Sequence, residues 1–310
     1  MLGLGNAVTK QYGWSPGSIS QLIGWWDFSD LSTMFQERDG TFVTPCAATS
    51  DPIGSIKNKA MPHNGGAATP NNRIGSYLFA SSDSERPLLS THPGHGRPQA
   101  IFDGTDDHLR CERDDGTDGG VVGGVSASVL SSASLDATAM TFMVVVDADN
   151  SSISTQDDTI FQLGYIDSGG STGYKVKCYF DKDTQDFECN VGDGVGKTIV
   201  SDNNFGTNLQ SFIVASGNEA ATIYRNGTAE GSVSGSTDWY STGDTAGDLT
   251  SADHLGFFVG ESYRGGGAGT MNGHNFDGRI CEIIVYNKTL STREITLLNN
   301  YIQSKWYKIV

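Results

Sequence analysis

Carboxylates and loop aromatics are the side chains of this sequence best placed to do chemistry. "DKDTQDFE" (Asp181–Glu188) and "ERDDGTDGG" (Glu112–Gly120) concentrate acidic oxygens. Neither has the alternating Asp, Asp/Asn, Asp/Asn, Gly spacing of an EF-hand loop. Asp114, Asp115, Asp118, Asp147 and Asp149, with Asp157 and Asp158, are the loop candidates for a calcium ion. The competing reading is that they are solvated turn residues. "GDGVGKT" (Gly192–Thr198) looks like a phosphate loop but has Val191 where the first glycine belongs, and "IVSD" follows it in place of a helix. It reads as a turn. His92 and His95 share the "HPGHG" loop without further ligands in sight, and among so many Ser and Asp no Ser-His-Asp order stands out. "STDWYSTGD" carries Trp239 and Tyr240, and "ESYRGGGAG" carries Tyr263 and Arg264, all in Gly/Ser/Asp-rich connections. A ring beside a polar group is what sugar stacking or a protein contact uses. Rings folded back onto their own domain are the equal alternative.

The elements that position these loops follow from composition and pattern. The chain has 310 residues, room for one large all-β domain, and contains 40 Gly and 27 Asp against 9 Glu. Gly and Asp belong to turns and Glu to helices, so many short strands are expected. The net charge of −16 repels nucleic acid and excludes a DNA or RNA partner. No window approaches 18 apolar residues, so no helix is expected to span a membrane. The opening "MLGLGNAVTK" lacks a basic region followed by an apolar run, and no secretory signal is expected. Five cysteines without a CxxC pair argue for free thiols in a reducing compartment and against structural zinc.

Residues 1–20 read as an arm, whose Leu2, Leu4, Tyr12 and Trp14 are candidates for a contact with a neighbouring subunit. Residues 21–310 read as one domain, with a Pro-punctuated irregular segment over 44–98 that holds short strands such as Ser76–Ala80. "MTFMVVVDAD" (Met140–Asp149) suits a buried central strand. "KVKCYFDKDTQDFECNV" is a hairpin in which Phe180 faces Phe187, Cys178 faces Cys189 and Val176 faces Val191, with Lys177 opposite Asn190 and Tyr179 opposite Glu188 on the other face. Asn226-Gly227 turns a second hairpin, setting Tyr224 against Ala229 and Thr222 against Gly231. In "RICEIIVY", period two assigns Cys281, Ile283 and Val285 to the core and Glu282, Ile284 and Tyr286 to the other face. A helix over about 291–307 follows. Ser291 and Glu294 form its capping box, Leu290 and Ile295 its staple, and Ile295, Leu298, Ile302 and Trp306 its apolar stripe.

"LIGWWDFSDLSTMFQ", "RPQAIFDGTDDHLRC", "SFIVASGNEAATIYRNGTAEGSV" and "FDGRICEIIVYNKTLSTREITLLNNYIQSKW" resemble the laminin G-like, concanavalin A-like lectin/glucanase superfamily. The resemblance implies a two-sheet antiparallel jelly-roll sandwich, here with an N-terminal extended arm and one C-terminal α-helix. It covers most of residues 19–307. The glucanases of that superfamily set their carboxylates on one strand as E-x-D-x-E or E-x-D-x-x-E. Here Glu282 stands alone, with Ile284 two residues on. Retaining hydrolysis needs two carboxyls about 5–5.5 Å apart, so the expectation is a protein that is not an enzyme. The opening "GWWD", the "FDGTDD" segment and the short final helix are similar to tailed-phage virion proteins and some bacterial surface proteins. That similarity implies a virion structural protein, a capsid decoration or a tail or fibre subunit. Its partners would be the major capsid or tail protein, further copies of itself, and host-surface glycans. A carbohydrate-binding bacterial adhesin is the alternative, and a polysaccharide hydrolase the third.

Overall fold

The computed structural model describes residues 14–60, 74–112, 139–148, 157–166, 172–191, 197–201, 208–217, 220–234, 255–262 and 274–307. The strands are β1 (Leu22–Asp27), β2 (Met34–Phe35), β3 (Ser55–Lys57), β4 (Tyr77–Phe79), β5 (Leu88–Thr91), β6 (Pro98–Asp103), β7 (Leu109–Glu112), β8 (Met140–Ala148) and β9 (Asp158–Ile166). They continue with β10 (Thr172–Phe180), β11 (Phe187–Val191), β12 (Lys197–Val200), β13 (Gln210–Ser216), β14 (Ala220–Arg225), β15 (Thr228–Ser234), β16 (Leu255–Val259) and β17 (Asp277–Tyr286). Among the described residues one α-helix, α1 (Thr292–Ile302), follows and runs on through a wider turn to Tyr307.

Two antiparallel sheets result. One has the order β15-β14-β13-β8-β17-β6-β5, with β1 paired to the far half of β17 beside β6. The other has the order β12-β11-β10-β9-β16-β7-β4-β3-β2. This is the expected jelly-roll sandwich. β3 and β4 of the irregular segment join the second sheet and β5 joins the first, so that segment crosses between the layers.

Apolar alternation sets which faces meet. Phe142, Val144 and Val146 of β8 enter the inter-sheet core with Trp26, Phe161, Phe212 and Phe257. Trp26 stacks on Phe257 at 4.9 Å, and Phe187 on Phe212 at 4.0 Å. Met143 and Val145 point the other way, into a second core beneath α1 with Ile213, Ile284, Leu298, Ile302 and Trp306. β8 is therefore apolar on both faces because both are covered.

The first hairpin has the expected register, with Cys178 opposite Cys189 and Phe180 opposite Phe187. Those two thiols are free and buried, 3.3 Å apart. In the second hairpin Tyr224 does face Ala229, but a bulge after Ile223 moves Gly231 opposite Ile223 and pairs Thr222 with Ser232. A bulge also corrects the reading of the last strand. It falls between Ile280 and Glu282, so Cys281 lies on the helix side with Ile284 and Tyr286 and is not in the inter-sheet core.

The capping box forms as expected, with Ser291 Oγ accepting from Glu294 N and the Glu294 carboxylate accepting from Ser291 N. Glu282 is fully buried beneath the helix. Its Oε1 accepts from Trp25 Nε1 and Tyr301 Oη, each at 2.7 Å, and its Oε2 from Trp306 Nε1 at 2.7 Å. Lys305 Nζ, 3.1 Å from that oxygen, also reaches Asp27 at 2.7 Å, and Lys59 pairs with Asp27 from the other side. Every carboxylate oxygen is thus engaged, which makes this strand glutamate a structural tie between sheet and helix.

Candidate functional site

The site with unspent chemistry lies on one rim of the sandwich, built by strand pairings that bring distant residues together. β4, β7 and β16 are successive neighbours, with Phe79 opposite Arg110 and Val259 opposite Leu109. Ser81 follows β4 by two residues, His108 immediately precedes β7, and Glu261 follows β16 by two. Antiparallel order puts all three at the same end. On the other sheet Asp103, the last residue of β6, pairs with Asp277, which carries Asn275 to the same turn.

Two glycines let the chain close here. Gly104 has φ +70°, and a Cβ on it would lie 2.7 Å from Asp277 Cβ. Gly260 has φ +86°, and its Cβ would lie 2.4 Å from the Phe102 ring. Both positions demand the left-handed backbone and the close approach that glycine alone allows.

In the β6–β7 turn, Asp103, Asp106 and Asp107 present carboxylate oxygens all within 4.8 Å of one another. Asp103 Oδ1 accepts from Thr105 N at 2.8 Å, and Asp107 Oδ2 from Asp103 N at 2.9 Å. Burial, with the neighbouring Asp103 charge, pushes the Asp107 carboxyl up to about 7. Burial and the charges of Asp103 and Glu85 also raise Asp106. Carboxylates crowded this closely repel one another, and a cation would relieve that repulsion. They are the described residues able to hold a metal ion.

Behind them, His108 is almost fully buried. Its Nδ1 donates to Asp106 O at 3.0 Å and lies 3.1 Å from Glu261 Oε2. Its Nε2 is 2.5 Å from Ser81 Oγ and 4.0 Å from Glu85 Oε2. Burial holds the imidazole down at about 4 and pushes the Glu261 carboxyl up to about 8, with the Glu85 charge adding to the latter. Several acceptors of the rim have no donor: Glu85 Oε2, Asn275 Oδ1 and, nearby, Asp158 Oδ2 are buried without a hydrogen-bond partner. Asn275 spends its amide nitrogen on Thr105 O, which fixes that residue against the acidic turn.

Most residues singled out from sequence lie elsewhere. Trp239, Tyr240, Tyr263 and Arg264 fall outside the described residues, as do Leu2, Leu4, Tyr12, Asp114, Asp115, Asp118 and Asp149. Trp14 packs on Tyr301 of α1 at 5.8 Å. Asp147 is buried between Arg279, at 3.2 Å, and His92, at 3.6 Å. Asp157 lies 3.8 Å from Lys177. Asp103, Asp106, Asp107, Ser81, His108 and Glu261 went unnoticed as a group. The available signal was "FDGTDDH", three aspartates and a histidine in one short turn, which served only as a mark of fold.

No family model matches the chain, and no curated protein matches it. Solved structures do share its fold. Trypanosoma rangeli sialidase in complex with 2,3-difluoro-KDN superposes with a TM-score of 0.53 at 11% identity, over 93% of this chain and 33% of the sialidase. The same enzyme in complex with sialic acid gives 0.53 at 10% identity, over 93% and 34%. The carbohydrate-binding module CBM40 of Ruminococcus gnavus IT-sialidase, bound to α2,3 sialyllactose, gives 0.40 at 13% identity, over 52% and 83%. The chain thus spans about a third of the sialidase chains, and at these identities the likeness is one of fold. It corrects the expectation that the chain is not an enzyme. That expectation rested on a missing glucanase strand motif, and the structures sharing this fold at 0.52–0.53 are enzymes of another kind.

Proposed function

We propose that this chain is a carbohydrate-binding β-sandwich module that takes a neutral glycan at the acidic rim around Asp103, Asp106, Asp107 and Glu85. The observation carrying this reading is an excess of acceptors without donors, with Glu85 Oε2 and Asn275 Oδ1 unpaired beside exposed Asp103 and Asp106. A buried acceptor left unpaired costs about 1–3 kcal/mol. A polyol brings several hydroxyl donors to such a surface, and a divalent cation on the three aspartates would bridge the same oxygens to sugar hydroxyls. The sandwich shared with a sialidase seen with sialic acid supports the saccharide class. The acidic rim and a net charge of −16 favour an uncharged sugar over a carboxylated one.

The setting we infer is display on a surface, that of a tailed-phage particle or of a bacterium. It rests on the sequence resemblance alone, and the chain's copy number in purified particles tests it: absence from particles ends the virion setting. A glycan array tests the binding itself. Neutral oligosaccharides should bind, sialylated ones should bind more weakly, and folded Asp106→Ala should lose the signal. An array without binding, or a variant that binds like the parent, would make the reading wrong.

A further inference from the structure

We propose that Ser81, His108 and Glu261 form a nucleophilic triad that hydrolyses short acyl esters. Three observations carry it. First, Ser81 Oγ lies 2.5 Å from His108 Nε2, within reach for direct proton transfer. Second, the opposite ring nitrogen is committed: Nδ1 donates to Asp106 O at 3.0 Å, with Glu261 Oε2 at 3.1 Å. That arrangement fixes the tautomer whose Nε2 accepts the serine proton, and it sets the Glu261 carboxyl group against Nδ1, where it orients the ring. Third, exposure is divided as a triad requires. His108 and Glu261 are 1% and 4% exposed, while Ser81 is half-buried at the rim, where a substrate can reach it.

The step balances without any co-reactant but water. Ser81 Oγ bonds to the ester carbonyl carbon as its proton passes to His108 Nε2. The carbon–alkoxy bond then breaks, and His108 returns the proton to the departing alcohol. Water, deprotonated by His108, attacks the acyl-serine, and the carboxylic acid leaves with Ser81 restored. Substrate class follows from the surroundings. Glu85, Asp106, Asp83 and Arg86 line this end of the sandwich and supply no apolar sleeve for a long acyl chain. The ester is therefore a small one, and on the reading of the rim as a glycan site its alcohol side is a sugar hydroxyl. Ser81 and His108 act as catalytic residues. Glu261 acts through the imidazole and is a positioning residue.

A fluorophosphonate probe and p-nitrophenyl acetate test the chemistry with the full chain, and neither requires glycan recognition. Loss of glycan binding would therefore leave this result standing, and the reverse also holds. The expected result is a covalent adduct that peptide mapping assigns to Ser81, together with acetate hydrolysis at least about 10²-fold faster than in Ser81→Ala. The octanoate ester should be turned over more slowly than the acetate. Ser84→Ala should hydrolyse like the parent, and Glu261→Gln should lower kcat at unchanged KM. If Ser81→Ala fails to fold, adduct mapping on the parent chain decides. No adduct at Ser81, or hydrolysis in folded Ser81→Ala equal to the parent, overturns the proposal.

Discussion

Replacing Glu282 by alanine should remove more stability than any surface change in this protein. The side chain is completely buried, and its two oxygens receive Trp25, Tyr301 and Trp306, with Lys305 at 3.1 Å. Alanine leaves two indole N–H groups and one phenol without an acceptor, each costing about 1–3 kcal/mol. Lys305 keeps Asp27 and so loses only part of its compensation. The sum is about 5 kcal/mol, in the range measured when one partner of a buried ion pair is removed. That is a large share of the roughly 5–15 kcal/mol that holds a typical domain together. Glu282→Gln keeps one acceptor for Trp25 and Tyr301 but turns an NH₂ toward Trp306 and Lys305, and should cost about 2 kcal/mol. Urea titration followed by tryptophan fluorescence reads both, since Trp25 and Trp306 are themselves partners. If Glu282→Ala unfolds within about 1 kcal/mol of the parent, the helix is not tied to the sheet in this way.

Three further outcomes are expected. Burial works to raise the Asp27 carboxyl, but Lys305 and Lys59 override it and hold it at about 2, against the ordinary 3.8. A carboxyl lowered in the folded state stabilises above its unfolded value and loses that contribution as pH falls. About 2 kcal/mol should therefore disappear between about pH 4 and pH 2, and Asp27→Asn should flatten that part of the urea-midpoint profile. Millimolar calcium should raise the melting midpoint through Asp103, Asp106 and Asp107, and should do so less in Asp106→Asn; a midpoint that ignores calcium removes the metal from the rim. Thiol titration of the unfolded chain without reductant should count five free cysteines; three would mean that Cys178 and Cys189 are joined.

Local rules made much of the fold legible. The β10–β11 register followed from placing three apolar pairs on one face, and Ser291 with Glu294 marked the helix start from sequence alone. The errors at Cys281 and Thr222 share one cause. A bulge inserts a residue into the alternation, and period two has no mark for it. The rim was illegible for a different reason. Ser81, His108 and Glu261 meet only because β4, β7 and β16 are neighbours, and that strand order is a property of the whole sandwich. Glu282 shows the opposite case. Its isolation on the strand was visible, but its partners come from a first strand and a last helix that no local pattern connects.

The most direct test of the rim as a binding site is calorimetric titration of a neutral oligosaccharide, selected on the array, into the parent chain and into Asp106→Asn. Saturable one-site binding by the parent is expected, weakened at least about tenfold in the variant, which corresponds to roughly 1.4 kcal/mol of lost recognition. Equal affinity in the two proteins would place the sugar elsewhere on the sandwich and contradict the account.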